Sequence, residues 1–177
     1  LDVNGAGETL SSAANALTVV GVSTVLSGGT VTSTSGNLTF TGNVTSTGSI
    51  GSGTGDWSFA GTLQNNGTTN FGGGNATTTG AVTNPGTIVA PVGVLNFVDA
   101  FTNTGTFTHN SGKVQLSGTA SPSIAGVLYN NFQSIKTSGT ATMAASSTIL
   151  GTLDVNGAGE TLSSAANALT VVGVSTV

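Results

Sequence analysis

Glycine recurs at a fixed interval through the middle of this chain. Written in rows of 19, residues 36–130 align without gaps as GNLTFTGNVTSTGSIGSGT, GDWSFAGTLQNNGTTNFGG, GNATTTGAVTNPGTIVAPV, GVLNFVDAFTNTGTFTHNS and GKVQLSGTASPSIAGVLYN. Gly36, Gly55, Gly74, Gly93 and Gly112 open the rows. Gly42, Gly61, Gly80 and Gly118 form a second column, interrupted by Asp99, and Gly48, Gly67, Gly86 and Gly105, preceded by Gly29, form a third. Three columns of glycine cut each row into three segments, which is the pattern of a coil with three sides and three corners.

Within a segment the apolar residues stand two and four places after the glycine, the alternation of a strand with one buried face. Leu38, Trp57, Ala76, Leu95 and Val114 share a column, as do Phe40, Phe59, Thr78, Phe97 and Leu116. The second side lines up Val44, Leu63, Val82 and Phe101, and the third contributes Ile50, Ile88 and Phe107. Thr39, Thr41, Ser58, Thr77 and Thr79 fall between them and should face water, where a β-branched residue with a hydroxyl suits a strand. Glycine at the corners lets the backbone take positive φ as the chain turns. The expectation is an all-β, three-sided parallel β-solenoid (β-helix) with about 19 residues per coil, right-handed because parallel crossovers almost always are.

Residues 153–177 repeat residues 1–25 letter for letter, so the chain runs through one 152-residue period and into the next. Since 152 is eight times 19, each period is expected to hold about eight coils, with clean coils over 36–130. The two copies are expected at the same coil positions, eight coils or roughly 38 Å apart at ~4.8 Å per strand. Bulges or longer corners are expected in LYNNFQSIKTSGTATMAASSTILG and GAGETLSSAANALTVV, where the 19-residue register slips. Neither terminus carries a helical pattern, a charge cluster or a proline screen to cover a bare coil, so further copies stacked end to end are the expected partners.

Composition narrows the function classes. With 32 Thr, 28 Gly, 21 Ser and 16 Asn the bias is that of a linker, but 37% apolar residues and a mean hydropathy of +0.28 argue for a core. A net charge of −4 with Lys113 and Lys136 as the sole basic side chains leaves nothing to neutralise phosphates, so nucleic acid is not an expected partner. No apolar run reaches the ~18 residues of a membrane span. Cysteine is absent, which excludes disulfides and thiolate metal sites.

GTFTHNSGKVQLSGTASPSIAG and TILGTLDVNGAGETL resemble the Gly/Thr/Asn-rich repeats of giant bacterial surface proteins, the filamentous-haemagglutinin-like adhesins with β-solenoid stalks. The likeness is one of composition and spacing over nearly the whole chain. It implies an elongated, secreted scaffold at the cell surface, acting as a structural extracellular filament or stalk. It carries over no catalytic residue. The alternative it leaves open is an adhesin module presenting a glycan- or surface-binding face.

Candidate sites are few. An enzyme on such a rod needs clustered carboxylates on one exterior face, yet Asp56 and Asp99 fall on different parts of the coil two rows apart, so no active site and no cofactor are expected. FGGGNATTTG lacks the Asp that glycine-rich calcium loops need. His109 stands in the column of Ser52, Phe71, Ala90 and Leu128, expected to face inward as a core histidine. Asn65, Asn84 and Asn103 form an inward column whose amides can bond from coil to coil, an asparagine ladder. Asn37, Asn43, Asn66 and Asn75 open N-x-Ser/Thr sequons and are glycosylation candidates. Thr45/Thr47 and Thr102/Thr104 suggest a flat ice-binding array, but Gln64/Asn66 and Thr83/Pro85 break it.

Overall fold

Residues 1–51 and 53–177 are described by the computed structural model, and they form an all-β parallel solenoid of about nine turns. Each turn contributes three short strands, most of them three residues long. Every third strand pairs in parallel, so the chain wraps a triangular core. Side A begins with Asp2–Val3 and side C with Leu17–Val19, and each is a continuous nine-stranded sheet. Side B begins with Thr9–Ser11 and divides into a six-stranded sheet ending at Thr106–Thr108 and a three-stranded sheet of Leu128–Tyr129, Ser147–Ile149 and Leu169–Val171.

The register explains why the glycine rows align. From Thr30 to Leu116 every pairing keeps the row spacing: Leu38 with Trp57, Trp57 with Ala76, Ala76 with Leu95, and Leu95 with Val114. The side chains that this step superposes form the core. Leu38, Phe40, Phe59, Val44, Ile88 and Phe101 have no accessible surface, and Trp57 is 2% exposed. Phe40 stacks on Phe59 with ring centroids 5.0 Å apart and planes within 17°. Farther along, the rings of Phe97, Phe101, Phe107, Tyr129 and Phe132 make an unbroken aromatic chain. Burial of such rings, at ~25 cal/mol per Å² of apolar surface, is the main force holding one coil on the next.

Two expectations about register are corrected. The regular step does not hold to residue 130. Phe101 pairs with Ile124, four places beyond its regular partner, because the corner at 117–122 loops out before the strand Ser123–Ile124. At both ends the coils lengthen across GAGETLSSAANALTVV, where longer corners are expected: Asp2 pairs with Thr24 and Leu153 with Ser175, each three places beyond the regular step. The duplicated segments therefore do not occupy the same coil positions. Asp2–Val3 lies on side A, whereas Leu153–Val155 lies on side C, over Asn131–Ser134. The strands number 27 among the described residues, and 23 separate the first from its repeat, seven coils and two sides.

The corner glycines also act differently from expectation. Among the described residues, Gly118 is the one column glycine with positive φ, at 82°, and the other glycines with positive φ, such as Gly7, Gly28 and Gly159, lie outside the columns. None of Gly36, Gly55, Gly74, Gly93, Gly112, Gly42, Gly61, Gly80, Gly48, Gly67, Gly86 and Gly105 adopts it. At all twelve a Cβ would instead fall within 3 Å of an atom of the preceding coil, nearly always backbone. At Gly67 those atoms are the Gly48 carbonyl oxygen and the carbon and oxygen of the Thr47 carbonyl. Corners stack so closely that only a residue without a side chain fits.

Candidate functional site

Two polar files run parallel to the axis, one inside and one outside. Inside, Ser46, Asn65, Asn84 and Asn103 occupy matching positions at the end of successive side-A strands. The Asn65 amide donates to Asn84 Oδ1 at 2.6 Å and to the Thr87 carbonyl at 2.8 Å. Asn84 donates in turn to Asn103 Oδ1 at 2.5 Å and to the Thr106 carbonyl at 3.0 Å, and Thr69 Oγ1 donates to Asn65 Oδ1 at 3.0 Å. Asn65 and Asn84 are fully buried, and every amide hydrogen bond here offsets a desolvation cost of ~1–3 kcal/mol. Asn103, expected inside with them, is half-buried and turns its amide to the Gly105 carbonyl.

Outside, the residue after the row-opening glycine forms a second file that sequence reading does not single out. Asn37 Oδ1 accepts the Asp56 N–H at 2.9 Å, Asp56 Oδ1 accepts the Asn75 N–H at 2.8 Å, and Asn75 Oδ1 accepts the Val94 N–H at 2.9 Å. Each side chain continues the parallel ladder around a corner, where backbone carbonyls no longer align with the next coil. The signal is present as a column of Asn, Asp and Asn, but in the sequence Asn37 and Asn75 fit sequons and Asp56 an isolated acid.

This outer file edges a concavity on the rod's flank. A groove of about 360 Å³ is lined by Asn37, Asp56 and Asn75 at the corner and by the outward faces of Thr39, Ser58 and Thr77, with Trp57 as its floor. Its wall is neutral apart from the Asp56 carboxylate. Such a surface can exchange hydrogen bonds with a hydroxyl-rich ligand, and Asp56 is the ionisable side chain that lines it. Among the described residues no three His, Cys, Asp or Glu side chains converge on a point that could hold a metal ion.

The remaining candidates separate. All four sequon asparagines are exposed, but Asn43 Oδ1 accepts the Thr62 N–H at 3.0 Å, as Asn37 and Asn75 do from their own neighbours. Asn66 alone of the four accepts from a side chain, the Gln64 amide, at 2.9 Å. His109 is half-buried at a corner rather than in the core, and its Nδ1 accepts the Ser111 N–H at 3.1 Å. Leu128, the next residue of that sequence column, is 44% exposed, so the inward column holds for Phe71 and Ala90 alone among its described members; Ser52 lies outside the described residues. Tyr129, which carries no sequence signature, is wholly buried; its hydroxyl donates to the Ala125 carbonyl at 2.6 Å, and burial pushes the phenol pKa far up. Lys136 is likewise buried, with its ammonium donating to the Ala120 carbonyl. Neither lines the flank groove.

No protein-family model, no curated protein and no solved structure matches this chain.

Proposed function

We propose that this chain is a length of structural filament or stalk, built from stacked solenoid periods and working outside the cell, in the manner of the filamentous-haemagglutinin-like surface proteins. The observation that carries the reading is the junction between the two copies. Among the described residues, the strands of 153–177 continue sides A, B and C over the preceding coils without a domain boundary or a change of pairing. A fold that lets one period run into the next along a single parallel ladder supplies length and stiffness, and short strands with tight corners leave few segments for a protease to enter.

Further copies stacked end to end are the partners this reading requires. Lateral association has support of its own. Val20 and Val22 are 82% and 67% exposed, and their repeats Val172 and Val174 are 65% and 69% exposed. The same corner is bare at opposite ends of the rod, so it belongs to the flank. The purified chain is expected to form thin, unbranched filaments by electron microscopy and to scatter light increasingly with concentration. A compact monomer at high concentration would count against the filament.

The flank groove at Asp56 favours a second reading, an adhesin face for neutral glycans. On a glycan array, specific binding abolished by Asp56→Ala would favour the adhesin, and silence would leave the scaffold.

A further inference from the structure

The duplicated segment reports how one period is set upon another. Locally the two copies agree. Ala13 and Ala165 take φ of 51° and 52°, Glu8 and Glu160 accept the Gly5 and Gly157 N–H groups, and the pairing of Asp2 with Thr24 recurs as that of Asp154 with Thr176. Globally they differ by one side. Thr9–Ser11 is on side B and Glu160–Ser163 on side A; Leu17–Val19 is on side C and Leu169–Val171 on side B.

We infer that successive 152-residue periods stack with each copy displaced by one side of the triangle, so that a surface residue regains its own side only after three periods. The inference rests on the reading that periods stack in tandem. It follows from the count of 23 strands per period, one short of the 24 in eight coils. Three periods then hold 23 complete coils, roughly 110 Å at ~4.8 Å per coil, before any twist is added.

The physical reason is that a three-residue strand does not encode its side. Thr170 points outward on side B between Leu169 and Val171 just as Thr18 does on side C between Leu17 and Val19. Only the corners count sides, and the loops of the longer coils absorb residues without adding a strand. The joint itself is well bonded in the shifted position. The Gln133 amide donates to Asp154 Oδ2 at 2.8 Å, Thr152 N–H donates to Asn131 Oδ1 at 2.9 Å, and Glu160 accepts from the Ser134 hydroxyl and the Lys136 N–H.

The displacement governs what a neighbouring copy meets. The valine corner lies between sides C and A at Val20 and Val22, and between sides B and C at Val172 and Val174. The groove at Asp56, on side C in this period, falls on side B in the next. A tandem rod therefore shows each feature on all three flanks in turn, a surface for three-dimensional bundles of like rods rather than flat ribbons.

Cysteine pairs test the displacement in the chain as it stands, because it contains none of its own. Thr148 and Thr170 are paired neighbours on side B, so Thr148→Cys/Thr170→Cys is expected to oxidise to a disulfide, adjacent parallel strands lying about 4.8 Å apart. Thr148→Cys/Asn167→Cys, which the 19-residue step of an eight-coil period would pair, is expected to stay reduced, since Thr148 faces Thr170 instead. A second set, Gln133→Cys/Asp154→Cys against Gln133→Cys/Thr152→Cys, the pair that a 19-residue step would make, repeats the test on side C if a variant fails to fold. The opposite pattern, or equal cross-linking of both pairs, overturns the displacement. Filaments are scored separately by electron microscopy. Filaments with the wrong cross-links sink the displacement and spare the filament, while correct cross-links in a permanent monomer support the displacement within the chain and sink the filament.

Discussion

The central stack, residues 30–116, and the duplicated end segments turn their corners in opposite ways. In the stack each coil keeps the row spacing and the twelve column glycines keep ordinary φ, because successive corners press backbone against backbone there. In the end segments each coil runs two or three places longer. There Gly7 and Gly159 adopt φ of 81° and 74°, with no atom within 4 Å of where a Cβ would stand. Glycine serves the columns of the stack by having no side chain, and Gly7 and Gly159 by having a permissive backbone. Tight corners fix coil length; loose ones let it drift.

The largest expected difference between the regions lies in the core. Phe59 is wholly buried, stacks on Phe40 and meets Phe71 edge-on with centroids 6.0 Å apart, so Phe59→Ala should cost ~3–5 kcal/mol in urea unfolding. Leu17 in the first coil is half-buried and packs against the core from its edge, so Leu17→Ala should cost about 1 kcal/mol. Equal losses would mean that the end coils are held as firmly as the stack.

The corners come next. Gly67→Ala drives a methyl into three backbone atoms that cannot move without the coil they belong to, at ~1–3 kcal/mol. Gly7→Ala meets open space and pays only the left-handed conformation, about 1 kcal/mol. Asparagine sorts the two causes, since it tolerates left-handed φ. Gly7→Asn should recover most of the loss in melting temperature, and Gly67→Asn none of it.

The inner amides give a smaller effect with a gradient. Asn84→Ala removes both links of the buried file and should cost ~2 kcal/mol by thermal unfolding, whereas Asn103→Ala, at the half-exposed end, should cost under about 1 kcal/mol. A flat profile along the file would show that the amides act independently.

The same contrast explains what could be read from sequence. The columns of Leu38, Phe40 and Val44 with their partners one row on were legible because a tight corner admits no extra residue, so spacing in the chain equals spacing in the stack. The positions of the glycines were legible too, but their reason was not: a row of letters does not tell backbone contact from backbone conformation. The number of sides per period was hidden for a related reason. The loop at 117–122 and the long end coils add residues without adding strands, so division of 152 by 19 gives eight coils where the chain makes seven and two-thirds. At the flank, Asn37, Asp56 and Asn75 formed a visible column whose role depends on which coil's N–H groups lie above them, and only the fold supplies that.

The smallest effect concerns the one non-glycine residue that each end segment holds at positive φ. Ala13, at φ 51°, sits in a turn where Asn15 N–H donates to the Ser12 carbonyl at 2.9 Å; Ala165 repeats it, with Asn167 donating to Ser164 at 2.9 Å. A left-handed alanine costs ~1–2 kcal/mol, and glycine relieves that while losing more entropy on folding, so Ala13→Gly should stabilise its turn by about 0.5–1 kcal/mol. The end coils of a stack open locally, so a global melt is the wrong instrument and native-state hydrogen exchange the right one. Ala13 also accepts the Thr34 N–H of the next coil at 2.9 Å, and in Ala13→Gly the amides of both Asn15 and Thr34 should exchange roughly two- to fivefold more slowly. In Ala165→Gly the corresponding gain should be read at Asn167. Faster exchange at Asn15 would mean that the alanine is unstrained there, and the loose corner would then owe its shape to its hydrogen bonds rather than to its backbone.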